Sequence, residues 1–357
     1  MPDVIGGNAA NPYHSDMATT APPVPAQTAE GLGAVRATRN RREEVAIAFF
    51  ASWMLIGLYL DGWAHASEKP ESFFTPWHGV LYSGFVAALA WFAVEALRQG
   101  RGAASALSPA DRLAGLGLAI FAAGAVADGV WHEVFGVEVD LEALLSPTHL
   151  LLLIGGFLMV TAPVRAAAED PTEDARSLRA FLPTAVCMTL GAALVSFFTI
   201  YLSAFDEGTG FYWARGGEDT RELVEIAGVG AVLVSNLVLL APVLFALRRW
   251  RTPFGTFTLL FTVVGGSMAA IETFDRVELA GAAVLGGVTA DLLVRRGSST
   301  RLVAALVPLV TWSAYFVVVE LTIGVEFAAE LVAGSVVLAV VSTLLFASLT
   351  APRPVSR

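Results

Sequence analysis

The chain has 357 residues, of which 55% are hydrophobic and 15% charged, with a mean hydropathy of +0.65 and a formal net charge of -10. Soluble domains carry about 25% charged residues, so this composition excludes an ordinary soluble fold and predicts an all-α, polytopic membrane protein. The acidic balance excludes a basic nucleic-acid binder, and the lone cysteine, Cys187, excludes an intrachain disulfide framework and any Cys-x2-Cys metal or redox motif.

Residues 1–35 are rich in Ala, Pro, Thr and Gly and contain no apolar run, which predicts a disordered cytoplasmic tail without a signal-peptide core. A basic cluster follows, Arg36, Arg39, Arg41 and Arg42, and then apolar stretches succeed one another. Crossing the hydrocarbon layer as a helix takes roughly 20 apolar residues. The stretches 43–66, 77–98, 112–135, 147–166, 179–204, 221–247, 254–273, 277–295, 301–323 and 326–350 predict about ten transmembrane helices. The pair around Glu272–Glu278 is short and tightly joined, so eight or nine spans also fit.

With the N-terminus inside, 18 of the 22 basic residues fall on one side of the membrane, and only Lys69, Arg215, Arg221 and Arg276 fall on the other. The positive-inside rule then places both termini in the cytoplasm of a multi-pass protein of the cell membrane. The outer loops are acidic, as at Glu138, Asp140 and Glu142, and either concentrate cations or are merely solvated. Residues 36–166 form the segment that carries chemistry, and 167–357 add further transmembrane helices without an assigned role.

Four of the five histidines lie in the first four spans, in two matching groups. Asp61, His65 and His78 follow D-x3-H-x12-H, and Asp128, His132 and His149 follow D-x3-H-x16-H. A spacing of four places each Asp–His pair on one helix face. The third member of each group opens the next span behind a hydroxyl and a proline, in Thr75-Pro76-Trp77-His78 and Ser146-Pro147-Thr148-His149. That layout reads as an N-cap, Pro at N1 and His at N3.

Each group is therefore a helical hairpin that gathers two imidazoles and a carboxylate at its outer end. The hairpins form an internal repeat, offset by 67 residues at the Asp and first His and by 71 at the second His. Two neutral imidazoles and a carboxylate suit Cu(II), Zn(II) or Fe(II) with open coordination positions. Capping and hydrogen bonding explain a single His–Asp pair well, but two copies that use every histidine outside the tail favour metal binding. Trp63, Phe73, Phe74, Trp77, Trp131 and Phe135 surround the motifs, as an interfacial belt or as walls of an apolar pocket.

At these residues the chain resembles the C subunit of the copper membrane monooxygenases, the particulate methane and ammonia monooxygenase family. The matching positions are Asp61, Gly62, His65, Phe74, Thr75, Pro76 and His78, and the resemblance covers residues 45–165. In that family's second site an Asn stands where this chain has Asp128, followed by histidines that correspond to His132 and His149 across a longer gap. The resemblance implies copper at the outer membrane surface and O2-dependent hydroxylation of a small apolar substrate. It also implies further subunits, or a second copy of the chain, and an external electron donor.

Two functions follow as expectations. One is a copper-dependent, monooxygenase-like oxidoreductase with Asp61, His65, His78, Asp128, His132 and His149 as metal ligands. The other is a non-enzymatic protein that binds, delivers or transports metal. Transport predicts ionisable residues at mid-membrane depth, whereas here nearly all acids sit at the outer ends.

Overall fold

The computed structural model describes residues 41–69, 75–99, 107–136, 140–169, 177–206 and 218–349. The tail expected over 1–35 lies outside them, as do Phe73 and Phe74. Among the described residues every regular element is helical. In chain order these are α1 (Arg41–Ala66), α2 (Pro76–Gln99), α3 (Pro109–Phe135), the short α4 (Asp140–Leu145), α5 (Pro147–Val160), α6 (Ala162–Glu169) and α7 (Leu178–Phe198). A 3-10 turn at Ile200–Leu202 leads on to α8 (Glu218–Arg249), α9 (Thr256–Ile271), α10 (Val277–Arg295), α11 (Thr300–Thr322) and α12 (Ala329–Leu349).

Each of the ten apolar stretches coincides over most of its described length with one of these helices or, for 147–166, with a pair, and 179–204 runs on past α7 into the 3-10 turn. Among the described residues, eight helices are long and apolar enough to cross a membrane. The chain is thus an all-helical, multi-pass membrane protein. The stretch 147–166 is broken: α5 and α6 meet at 43°, and count as a ninth span if taken together. Pro163 lacks the N–H that a continuous helix would offer to the carbonyl of residue 159, which breaks the ladder there. The Arg165 guanidinium donates to the Leu158 carbonyl and to the Thr161 hydroxyl, and so satisfies oxygens beside the break. The stretch 254–273 yields α9, of only 16 residues. At 1.5 Å per residue it is shorter than the ~30 Å hydrocarbon layer.

α9 begins at Gly255, whose φ of +97° suits only glycine and whose missing side chain leaves no local cap. The cap comes from elsewhere. Buried Asp291 of α10 accepts from the Phe257 and Thr258 N–H groups at 3.2 and 2.9 Å and from the Thr258 hydroxyl at 2.7 Å. A carboxylate at a helix N-terminus both satisfies orphan donors and meets the positive end of the dipole.

Glycines set how closely the hairpins close. A Cβ on Gly57 of α1 would stand 2.3 Å from the Leu81 nitrogen of α2, and one on Gly155 of α5 would stand 2.5 Å from the Phe121 nitrogen of α3. These backbone approaches are the small-residue packing expected where lipid supplies no hydrophobic drive between helices. The two hairpins meet through one apolar cluster that includes Met54, Leu81, Phe85, Phe121 and Leu152, with the Phe85 and Phe121 rings 4.7 Å apart.

α7 is the hub, mostly buried and packed against α1, α5, α6, α8 and α9. Beyond it, α8, α11 and α12 are tied by buried Asn236. Its amide donates to the Thr343 hydroxyl at 2.8 Å and to the Ala339 carbonyl at 3.1 Å, and its oxygen accepts from the Trp312 indole at 3.0 Å. A buried amide with both ends satisfied fixes one helix register.

Candidate metal centre

Both third-position histidines enter the structure as the sequence layout predicts. Thr75 and Ser146 cap α2 and α5, their hydroxyl oxygens accepting from the His78 and His149 backbone N–H groups, each at 3.3 Å. Proline follows at the first helical position in both. The cap fixes the first turn, so His78 and His149 project back toward α1 and α3, where the Asp–His pairs wait.

In the first group, Asp61 Oδ1 lies 3.7 Å from His65 Nε2 and 3.2 Å from His78 Nε2. That oxygen is buried and receives no hydrogen bond among the described residues. In the second group, His132 Nε2 lies 3.6 Å from Asp128 Oδ2, and His149 Nε2 lies 3.4 Å from Asp128 Oδ1. The ligand atoms of Asp128, His132 and His149 all fall within 4.8 Å of one another. Ligands about 2.1 Å from a tetrahedral ion stand about 3.4 Å apart, so the separations in the second group suit a metal; among the described residues it is the one such group whose ligand atoms all gather this closely.

The second group also fixes which ring nitrogen is available. His132 Nδ1 faces the Gly136 carbonyl at 3.3 Å, and a carbonyl can only accept, so Nδ1 carries the proton. For His149 the same conclusion comes through a chain of hydroxyls. Thr148 donates to Asp128 Oδ1 at 2.9 Å, so its oxygen accepts from Ser146 at 3.1 Å. With its own proton so used, Ser146 Oγ accepts from His149 Nδ1 at 2.8 Å. In their neutral forms both imidazoles therefore turn an Nε2 lone pair toward a carboxylate that is only 2% exposed. Facing acceptors at low dielectric repel unless a cation stands between them, either a second ring proton or a metal ion.

The two groups share one cavity of about 100 Å³. All six sequence-predicted residues line it, and Leu58, Leu81, Phe121, Leu152, Leu194 and Phe197 supply much of its apolar wall. Of the aromatic residues around the motifs, which the sequence offers as a belt or as pocket walls, Trp77 lines the cavity. Trp63 instead donates to the Thr273 hydroxyl at 3.3 Å, and Trp131 packs on Phe135 at 4.4 Å; Phe74 lies outside the described residues. The wall comes from deeper in α1, α2, α3, α5 and α7.

Four contributors carry no mark in the sequence pattern. Thr148 reads in the motif as a spacer between Pro147 and His149, although a hydroxyl next to a candidate ligand is itself a signal. Tyr82 stands one turn beyond His78 on α2 and hydrogen-bonds Asp128 with its phenol. Phe197 and Phe198 of α7 line the same cavity, and nothing local in α7 marks them. The structure thus gives a membrane protein with a candidate metal-binding cluster in its N-terminal half. No family model, no curated protein and no solved structure matches this chain.

Proposed function

We propose that the chain is a copper-binding integral membrane protein that works as a monooxygenase-like oxidoreductase on a small apolar substrate. In this reading Asp61, His65 and His78 hold one ion, and Asp128, His132 and His149 hold a second. The observation that carries it is the convergence of both sets on a single cavity with a largely apolar wall. Paired imidazoles set around a carboxylate favour Cu(II) over hard cations, with zinc and iron as the competing ions.

Bound copper would supply the activation of O2 by one-electron chemistry. The chain's own residues do the rest. The leucine and phenylalanine wall excludes water from the space beside the ligands, as an oxidising site requires. At about 100 Å³ the cavity is well below the roughly 300–1,000 Å³ that accepts drug-sized ligands, so it selects molecules of a few heavy atoms. The hydroxyl chain from His149 to Asp128 keeps the ligand set oriented.

The proposed topology has ten spans with α9 as a short one, both termini cytoplasmic and the two ligand sets at the extracytoplasmic ends. The asymmetry of Arg residues supports it. An external electron donor and further subunits, or a second copy, complete the proposal, and kinship with the copper membrane monooxygenase C subunits belongs to it. A second reading, metal storage or delivery without catalysis, draws on His65, whose side chain is 37% exposed and open to exchange.

The deciding experiment measures metal content and reductant-dependent O2 uptake with small apolar substrates, on detergent-purified wild type beside His65→Ala and His132→Ala. Copper retained by wild type, reduced in each variant and accompanied by substrate-dependent O2 uptake is the expected result. Copper without turnover leaves the storage reading; no tightly held metal overturns both. Cysteine substitutions in loops of a Cys187→Ser background, labelled from each side, test the topology.

A further inference from the structure

The repeat makes the two ligand sets comparable position by position, and it fails at two places that matter. With the 71-residue offset that relates His78 to His149, Thr148 corresponds to Trp77 and Tyr82 corresponds to Leu153. Both departures deliver a hydroxyl to the same carboxylate. Thr148 donates to Asp128 Oδ1 at 2.9 Å from within the second hairpin. Tyr82 reaches Asp128 with its phenol from the first hairpin. Asp61 Oδ1, by contrast, is buried and receives no hydrogen bond among the described residues.

We infer that Tyr82 is a positioning residue that the first hairpin contributes to the metal site of the second, and that it helps make Asp128, His132 and His149 the tighter of the two sites. The inference rests on the metal reading given above. An ionised carboxylate has about four acceptor directions. Hydroxyls from Thr148 and Tyr82 occupy two of them and leave the others to a cation. A carboxylate held in that way before binding loses less orientational freedom when the ion arrives.

The phenol ring also stands 6.1 Å from the His78 imidazole, centroid to centroid. Tyr82 is therefore beside a ligand of the first set while bonded to a ligand of the second. Substitution of such outer partners typically costs 10–100-fold in metal affinity. Leu153, at the equivalent place in the second hairpin, has no hydroxyl to offer Asp61, so the support runs in one direction only.

The test is a Cu(II) titration of the full chain in detergent, with each site isolated by removing a ligand from the other. In a His65→Ala background, which leaves the second site, Tyr82→Phe is expected to weaken Cu(II) binding about tenfold and to change the Cu(II) paramagnetic resonance spectrum. In a His132→Ala background, which leaves the first site, the same substitution is expected to change neither. Tyr82→Leu, which copies the residue of the second hairpin, should reproduce the site-selective loss and serves if the Phe variant purifies poorly. Unchanged affinity and spectrum at the second site would overturn the inference, and so would equal weakening of both sites, which marks a general loosening of the helices. If the His65→Ala protein binds no Cu(II) while Tyr82 is still in place, the metal reading of the second site fails first and takes this inference with it.

Discussion

His132 and Gly136 hold each other at the end of α3: the ring Nδ1–H donates to the Gly136 carbonyl at 3.3 Å, and the Gly136 N–H donates back to the His132 carbonyl at 3.0 Å. The closure depends on a Gly136 φ of +84° and ψ of -178°, a conformation that residues with a Cβ rarely adopt. Open space surrounds the position where a Cβ would stand, so a substitution there acts through the backbone alone. Gly136→Ala is expected to cost roughly 1–3 kcal/mol and to release the His132 ring from its fixed tautomer. Thermal unfolding of the metal-free protein, paired with a metal titration, checks both effects. An alanine variant that matches wild type in each would show that the turn does not hold the ligand.

Thr148 offers a cleaner cut through the same site. Thr148→Val keeps the side-chain shape and removes the hydroxyl that donates to Asp128 Oδ1, which is expected to cost roughly 1–3 kcal/mol in the metal-free protein. Thr148→Ser retains the hydroxyl and should recover most of the metal affinity that the valine variant loses. Chemical unfolding and equilibrium dialysis against copper separate the two quantities. Equal behaviour of the valine and serine variants would mean that the hydroxyl is idle.

The glycines that close the hairpins predict a contrast between two similar changes. Gly155→Ala would drive a Cβ to 2.5 Å from the Phe121 nitrogen, and backbone cannot yield as a side-chain tip can. α3 and α5 must then separate, which lowers the unfolding temperature and moves His149 away from Asp128. Gly266→Ala, on α9 with nothing within 4 Å, should be neutral or stabilising by up to about 1 kcal/mol, because alanine favours a helix over glycine. Melting curves of the two variants should move in opposite directions or differ sharply in size.

Asp291 carries a prediction for the second half of the chain. It caps the first turn of α9, and Asp291→Ala leaves the Phe257 and Thr258 donors without that acceptor. Loss of roughly 1–2 kcal/mol is expected, with Asp291→Asn intermediate because an amide oxygen still accepts. Unfolding in mild denaturant measures it. Copper affinity should stay within twofold of wild type, since α9 supplies no ligand of either set.

Hydropathy alone located the long helices, because a lipid solvent demands an unbroken apolar run wherever a helix crosses it. Spacing alone singled out the candidate ligand residues, because an Asp and a His four apart on a helix must share a face and a hydroxyl–Pro–x–His sequence must open the next helix. A further sign of the repeat stood beside them: Gly57 and Gly124 each precede the aspartate by four residues and mark where the hairpins close. What the sequence left undecided depends on how separate hairpins pack. Periodicity did not mark the break between α5 and α6, since Pro163 sits in a stretch that is apolar throughout. Nor could spacing within each hairpin bring both ligand sets onto one cavity, because that follows from α1 and α2 meeting α3 and α5 against α7. Tyr82 supports Asp128 from a different hairpin, and Phe197 lines the cavity from a third element. Such contacts join residues far apart in the chain, and no local pattern encodes a distance across helices; only the packed bundle decides it.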